Sequence, residues 1–267
     1  MRLRRSPAEP APSAAVGRAA PTGGAEPILK VENIRVRYRN GALGALDVSY
    51  QVAPGQVVSL FGANGAGKTT SVRAASGFLK TEKTRLIGGR ITLAGRDVTN
   101  SEPHRQAKLG LFFVPERNKV FANLTVAENL LAIGRLPAGA RRAELFDQVY
   151  TLFPILAERR RQQAGRLSGG QRQMLALGRG IISDPKVLIV DEMTLGLHHS
   201  VQPPLFDAVR LVASTGTAVV LVDESTGFAL DVADHCYVLA GGEVHDEGPS
   251  EKFRDNELLV AGYVDAR

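Results

Sequence analysis

The segment that decides the fold reads Val57-Val58-Ser59-Leu60-Phe61 and continues as Gly62-Ala63-Asn64-Gly65-Ala66-Gly67-Lys68-Thr69-Thr70. The second part fits the phosphate-binding pattern G-x-x-x-x-G-K-[ST], and it lies between a strand-sized apolar run and a helical stretch, as this pattern requires. Its glycines let the backbone wrap around a phosphate at a helix N-terminus. The segment predicts a nucleotide site in residues 62–70, where Lys68 reaches the β- and γ-phosphates and Thr69 binds Mg²⁺.

A second apolar run, Val187-Leu188-Ile189-Val190, ends in the acidic pair Asp191-Glu192. Ligands of open α/β sheets bind at the carboxyl ends of strands. We therefore expect Asp191 to hold Mg²⁺ from its outer shell and Glu192 to orient and polarise the attacking water. A solvated strand end has the same sequence, and the phosphate loop is what favours the functional interpretation.

Further short runs are apolar at every position: Leu111–Val114, Ala218–Val222 and Tyr237–Ala240. Continuous rather than alternating apolar runs are typical of strands buried on both faces, so they predict a parallel sheet with helices on both sides. Strands are also expected at Ile28–Val31, Ile34–Tyr38 and Ile91–Ala94, and a short helix at Ser101–Gly110.

Residues 119–168 contain no convincing strand. Thr125-Val126-Ala127-Glu128 is a capping box that opens a helix toward Arg135. A second helix carries Leu145, Val149 and Leu152 on one face, and Pro154 ends it. We expect a small helical subdomain inserted into an α/β domain of residues 28–267.

Leu167-Ser168-Gly169-Gly170-Gln171 opens a helix that runs to about Ile182. Ser168 is a natural N-cap, and the two glycines expose N–H groups at the positive end of the helix dipole. This is a second anion site, formed by residues 168–171. The order of motifs, with this pentapeptide between the phosphate loop and the acidic strand, resembles the nucleotide-binding domain of ABC transporters.

That resemblance covers residues from about 28 to the C-terminus. It implies an α/β P-loop NTPase fold, in which a mostly parallel sheet core carries an antiparallel β subdomain and an inserted helical subdomain. It also implies a head-to-tail dimer with an identical or paralogous ATP-binding subunit, in which Ser168 and its neighbours close over ATP held by the other phosphate loop. Tyr38 stands where the family stacks an aromatic ring on adenine. Glu116 falls in the loop that senses the γ-phosphate and the transmembrane partner, and it is assigned to the nucleotide and metal sites on this basis.

Within the family, the chain is similar to the shorter ATP-binding subunit of branched-chain amino acid importers and of their urea and amide relatives. The segments that carry this likeness are Val114-Pro115-Glu116, Leu124-Thr125-Val126, Leu152-Phe153-Pro154 and Leu195-Gly196-Leu197. The resemblance implies transmembrane permease subunits as partners and an extracytoplasmic solute-binding protein as an indirect one. It implies a peripheral position on the cytoplasmic face of the cell membrane.

Composition limits the alternatives. With 44% apolar and 22% charged residues, the chain can bury a sizeable core, and its one cysteine excludes an intramolecular disulfide. Residues 1–27 are rich in Ala, Pro and Gly and are expected to form a disordered tail. The net charge of +6 is spread along the chain, which is too diffuse to argue for nucleic acid.

Three positions depart from the family pattern. Glu116 replaces the usual glutamine, although the branched-chain subgroup often has glutamate there. Met193 replaces a proline, which loosens the turn after the acidic pair. Glu224 stands where most members have histidine, and we assign it to the catalytic site.

These departures leave open a second hypothesis, a degenerate domain that binds ATP and dimerises but hydrolyses poorly, as a regulatory half-site. A soluble ABC protein of translation or DNA repair is disfavoured, since those usually carry two cassettes or a long coiled coil.

Glu224 generates the first testable prediction. An ionised glutamate accepts hydrogen bonds but donates none, so it is repelled by a γ-phosphate that glutamine or histidine could bind. We expect Glu224→Gln and Glu224→His to hydrolyse ATP faster than the wild type at neutral pH. If Glu224 acts in its protonated form, the rate of phosphate release by the wild type also increases as the pH falls toward 6. The rate of the Glu224→Gln variant does not. Slower release by both variants across this range would identify Glu224 as an adapted catalytic group.

Overall fold

The computed structural model describes residues 25–82, 84–117, 119–134, 136–223 and 226–254, so residues 1–24 of the predicted tail and Glu224 lie outside the described residues. The strands in these ranges are β1 (Leu29–Arg37), β2 (Leu43–Val52), β3 (Val57–Phe61), β4 (Arg85–Leu93), β5 (Arg96–Asp97), β6 (Leu111–Val114), β7 (Val187–Asp191), β8 (Ala218–Val222), β9 (His235–Ala240) and β10 (Glu243–Pro249). The α-helices are α1 (Lys68–Ala75), α2 (Pro103–Lys108), α3 (Val126–Leu131), α4 (Gly139–Leu152), α5 (Pro154–Glu158), α6 (Gly169–Ile182), α7 (Gln202–Ser214), α8 (Thr226–Val232) and α9 (Glu251–Arg254). Short 3-10 helices lie at Phe78–Glu82, Ala164–Arg166 and His199–Val201.

The strands join in one sheet in the order β5-β4-β1-β2-β10-β9-β3-β8-β7-β6. From β9 to β6 all neighbours are parallel, whereas β1, β2, β4 and β5 pair antiparallel. The two parts meet at β10, which is antiparallel to β9 and joins β2 through a single pair, Glu243 with Asp47. This confirms the expected fold, a parallel core with an antiparallel β subdomain.

Every residue of β3, β7 and β8 is buried, because both faces of these strands are covered. Their side chains alternate between two apolar clusters: in β7, Leu188 and Val190 face one cluster, whereas Val187 and Ile189 face the other. The first cluster is shared with α4, α6 and α7, and the second with α1 and the antiparallel strands. The continuous apolar runs in the sequence therefore arise from burial on both faces.

The antiparallel part differs from the sequence prediction in two respects. The strands expected at 28–31 and 34–38 form one strand, β1, whose pairing shifts register around Asn33, a residue with φ of 47°. Neither β2 nor β10 was predicted. β10 is polar because most of its residues are exposed, and its backbone pairing with β9 accounts for its extended conformation.

Only helices and turns occur among the described residues of segment 119–168, apart from one isolated bridge between Thr125 and Gln163. The capping box at Thr125 is confirmed, but α3 ends at Leu131, short of the predicted Arg135. Pro154 occupies the first turn of α5 instead of simply ending α4. A Cβ on Gly178 would lie 2.9 Å from Val149 Cγ1, so glycine allows α4 to approach α6 closely.

Asn129 of α3 fixes the loop that enters this helix. Its side chain is fully buried. The amide nitrogen donates to the carbonyl oxygens of Phe121, Leu124 and Thr125 at 2.9–3.2 Å, and the amide oxygen accepts from the Phe121 N–H at 2.8 Å. The three carbonyl oxygens also accept the backbone N–H groups of Leu124, Ala164 and Asn129, so the side chain reinforces the loop and supplies the acceptor for the Phe121 N–H.

Two further features concern the chain as a whole. The single cysteine, Cys236, is buried in β9, and burial raises the pKa of its thiol to about 12. Among the described residues no helix combines the length and the apolar character needed to cross a membrane.

The role of Asn129 predicts a difference between two substitutions in one turn. Asn129→Leu removes the hydrogen bonds of a fully buried amide and takes away the acceptor of the Phe121 N–H, so it should lower the free energy of unfolding by about 3 kcal/mol. Thr125→Ala removes the N-cap hydrogen bond and the bond from the same hydroxyl to the Glu128 carboxylate, and it should cost about 1 kcal/mol. Urea unfolding of both variants measures the difference, and equal losses would contradict the assignment.

Candidate nucleotide-binding site

Strand register brings the predicted motifs to one edge of the sheet. Leu60 of β3 pairs with Val222 of β8, and Val222 pairs with Asp191 of β7. In turn Val190 pairs with Val114 of β6. Because these strands are parallel, the loops that follow them start side by side, and so the phosphate loop, the acidic pair and the Glu116 loop lie at the same edge.

Two glycines of the phosphate loop cannot be replaced without moving the backbone. Gly62 has φ of 142°, and a Cβ there would lie 2.1 Å from the Leu239 carbonyl oxygen. Gly67, with φ of 100°, would place a Cβ 2.8 Å from the Gly44 carbonyl oxygen. These close approaches account for the glycines at both ends of the loop.

Lys68 is the first residue of α1 and folds back over the phosphate loop. Its ammonium donates to the carbonyl oxygens of Gly62 at 2.6 Å and Ala63 at 3.1 Å, and the side chain is buried. An ammonium group carries three protons, so these two contacts leave one donor for a phosphate oxygen. The loop therefore presents a positive charge at the helix N-terminus, where anions are favoured.

Thr69 and Asp191 connect the two motifs directly: the Thr69 hydroxyl donates to Asp191 Oδ1 at 3.0 Å. The other oxygen, Oδ2, is buried and has no hydrogen-bond partner among the described residues. Burial raises the pKa of Asp191 to about 6, although the Thr69 hydrogen bond and the Arg73 charge lower it. A hydroxyl and an unsatisfied carboxylate oxygen are hard ligands of the kind that Mg²⁺ prefers, so these residues fit the metal.

Glu192 lies beside this pair in a strained conformation. Its φ is 51°, in the left-handed region, its backbone N–H donates to the Val222 carbonyl at 2.8 Å, and its side chain is buried. Non-glycine residues adopt this conformation rarely, and such residues cluster at functional sites. The geometry is compatible with a catalytic role for Glu192, which remains a prediction.

Asp223, which follows β8, fixes the turn after Glu192. Its carboxylate accepts from the Thr194 hydroxyl at 2.6 Å and from the Thr194 N–H at 3.0 Å. Met193, which lies between Glu192 and Thr194 in the sequence, is buried in the apolar core. These contacts hold the turn in place of a proline, so the expected loosening at Met193 is opposed by a side-chain clamp.

Tyr38 and Glu116 lie at the margins of the site. The Tyr38 hydroxyl shares a hydrogen bond of 2.5 Å with Thr70 Oγ1, and the ring packs so closely on Gly44 that a Cβ there would lie 2.4 Å from it. Glu116 Oε1 accepts from Arg117 Nε at 3.1 Å and contributes negative charge near Asp191. Their proposed contacts with adenine, the γ-phosphate and the metal remain predictions.

Ser168 caps α6 as the sequence predicts. Its hydroxyl accepts from the Gln171 N–H at 3.3 Å, and the Gln171 side chain accepts from the Ser168 N–H at 3.1 Å. Ser168 and Gly169 are exposed, whereas a Cβ on Gly170 would lie 2.5 Å from Val201 Cγ1. This N-terminus therefore faces away from its own chain, and a further molecule can reach it.

Two residues of this region were missed by sequence reasoning. Asp223 follows an apolar strand at the same edge, so the signal that identified Asp191 could have found it. Lys119 has no such signal, because its ammonium contacts Gln173, 54 residues along the chain, and the Glu192 carbonyl oxygen. The catalytic assignment of Glu224 lies outside the described residues.

Comparison with known proteins agrees with this geometry. A family model described as ABC transporter matches residues 45–195. The chain is 39% identical over 231 residues to the high-affinity branched-chain amino acid transport ATP-binding protein BraG of Pseudomonas aeruginosa, with 83% of this chain and 93% of the relative covered. It is 28% identical over 239 residues to the lipopolysaccharide export system ATP-binding protein LptB of Acidithiobacillus ferridurans, with 89% and 96% covered.

A solved structure supports the same grouping. The crystal structure of a nucleotide-free ATP-binding cassette from an ABC transporter superposes with a TM-score of 0.75 at 26% identity. The superposition covers 90% of this chain and all of the other.

The raised pKa of Asp191 predicts a pH-dependent stability. An unfolded aspartate has a pKa near 4, so between about pH 4 and 6 the folded protein keeps a proton that the unfolded chain has lost. Folding stability therefore falls as the pH rises through this window. We expect Asp191→Asn to stabilise the nucleotide-free protein by about 1–3 kcal/mol at pH 8 and by little at pH 4.

Thermal unfolding of the wild type and the variant across this pH range measures the effect. Asp207→Asn is the matched control, because Asp207 is exposed and pairs only with Arg210 in the described contacts. A gain of equal size at both pH values would show that the Asp191 charge is not the cause.

Proposed function

The chain belongs to the ABC transporter family as one of its ATP-binding subunits, and from this we propose that it hydrolyses ATP to drive import of branched-chain amino acids or related small polar solutes. The hydrogen bond of 3.0 Å between Thr69 and Asp191 carries the proposal, because it joins the phosphate loop to the acidic strand end. The higher identity to BraG than to the lipopolysaccharide export protein, 39% against 28%, favours the amino acid class.

Each residue of this edge has a defined task in the proposed reaction. Lys68 compensates negative charge on the β- and γ-phosphates through charge-assisted hydrogen bonds. Thr69 and Asp191 would hold Mg²⁺, which would neutralise the negative charge that develops on the phosphates. Glu192 orients the attacking water and accepts its proton.

We expect two copies, or this chain and a paralogue, to form the complete site. Ser168 and Gly169 are exposed at the N-terminus of α6, and Leu195, in the turn that follows Glu192, is 52% exposed. In a head-to-tail dimer these groups of one subunit cover ATP bound at the phosphate loop of the other. Binding of ATP then stabilises the closed dimer, and hydrolysis releases it.

Transmembrane permease subunits are the proposed partners that receive the closing motion of this cycle. A groove beside the site is lined by Phe112, Phe113 and Pro115, and its rim carries Phe121, which is 50% exposed. An exposed aromatic at the rim of an apolar groove suits a protein contact. The subunit would thus act on the cytoplasmic face of the membrane, and an extracytoplasmic solute-binding protein would select the solute.

A degenerate domain that closes on ATP without efficient hydrolysis is the second candidate. The substitutions Met193 and Glu224 favour it. The clamp between Asp223 and Thr194 argues against it, because the turn after Glu192 stays fixed without proline. Steady-state phosphate release by the protein with its partners separates the two.

Glu192→Gln should bind ATP as the wild type does, lose hydrolysis and accumulate as a closed dimer. The amide keeps the shape of the side chain but cannot take a proton from water. Size-exclusion chromatography with ATP measures the dimer, and phosphate release measures hydrolysis. Lys68→Ala is the control that should neither bind micromolar ATP nor dimerise. Persistent hydrolysis by Glu192→Gln, without added dimer, would remove Glu192 from the catalytic role.

A further inference from the structure

Lys119 places a cation at the backbone of Glu192, the predicted catalytic acid. It lies in the loop between β6 and α3, and its side chain is half-buried. The ammonium donates to Gln173 Oε1 on α6, and to the backbone oxygen of Glu192 at 3.4 Å. The side chain therefore bridges the helix that Ser168 caps and the end of the acidic strand.

The surroundings of this ammonium are strongly acidic. Burial lowers the pKa of Lys119, whereas Glu116, Asp191, Glu192 and Asp223 all raise it. Its charge in turn lowers the pKa of Asp191. Lys119 thus supplies positive charge to the carboxylates that are predicted to face Mg²⁺.

The backbone of Lys119 is attached to α6 as well. Arg179 donates to the Lys119 carbonyl oxygen at 2.8 Å and to that of Ala132 at 2.9 Å, and its guanidinium lies 4.7 Å from the centre of the Phe121 ring. Phe121 is also held by Asn129. A shift of the Lys119 side chain would therefore act on a loop that borders the groove.

We propose that the Lys119 ammonium is a resident counter-cation of the acidic cluster, which competes with Mg²⁺-nucleotide and must withdraw when the metal binds. The proposal rests on the proposed nucleotide site. A divalent and a monovalent cation that share the same carboxylates repel each other at partial burial. Withdrawal of Lys119 would break its contacts with Gln173 and Glu192, so the metal state of the site would reach residues 116–121.

Titration with a fluorescent ADP analogue, with and without Mg²⁺, tests the competition without hydrolysis or a γ-phosphate. Lys119→Met removes the charge, and Lys119→Gln removes it while keeping a donor for Gln173. Both should bind the Mg²⁺-analogue about fivefold more tightly than the wild type, the size expected for removing a partly screened unit charge. Binding in EDTA should be unchanged, and Lys119→Arg should resemble the wild type.

Lys108→Met is the matched control, because Lys108 is exposed on α2 and should give wild-type binding throughout. Unchanged or weaker Mg²⁺-analogue binding by both neutral variants would overturn the proposal. Weaker binding in EDTA would also overturn it, since Lys119 would then contact the nucleotide itself. Failure of the wild type to bind the analogue at all would instead reject the nucleotide site.

A second measurement reports on the loop that contains Lys119 and Phe121, through the fluorescence of an introduced tryptophan. The chain has no tryptophan, so Phe121→Trp introduces a single reporter beside Arg179. Unlabelled Mg²⁺-ADP should change its emission when Lys119 is present and have much less effect in the Phe121→Trp, Lys119→Gln double variant. An equal response in both would show that the loop does not sense the cation through Lys119.

Discussion

The parallel register of β3, β8 and β7 is the constraint on which the rest of the structure depends. Because Leu60, Val222 and Asp191 lie in one row across the sheet, the three loops that follow these strands begin at the same height. Only this alignment allows the Thr69 hydroxyl to reach an acid 122 residues later in the chain. A register shift of one residue would turn Asp191 to the opposite face and would separate the two motifs.

The site also contains a buried acidic side chain and a strained backbone, and both oppose folding stability. Folding removes Asp191 from water, and its Oδ2 has no hydrogen-bond partner in the described part of the chain, which opposes stability. Glu192 adds a left-handed backbone conformation in the next position. Natural proteins tolerate such local costs where binding needs a preorganised arrangement, and the large apolar clusters on both faces of the sheet offset them here.

The sequence predicted those features whose cause is local. Runs such as Val187–Val190 show burial on both faces directly, and the capping box at Thr125 and the N-cap at Ser168 depend only on residues three apart. Strand β10 escaped prediction because its conformation comes from pairing with β9 and not from its polar side chains. Lys119 and Asp223 escaped because their roles depend on tertiary neighbours. The roles of the predicted site residues toward ATP stay predictions, since these concern a bound molecule.

The environment of Cys236 makes this chain convenient for site-directed spectroscopy. A thiol that is buried within β9 and kept protonated reacts slowly with maleimides and methanethiosulfonates, since the thiolate is the reactive form. Cysteines introduced at exposed positions such as Ser168 or Leu195 would carry probes selectively, with the native residue left in place. Distances between paired labels could then report how two subunits approach each other during turnover.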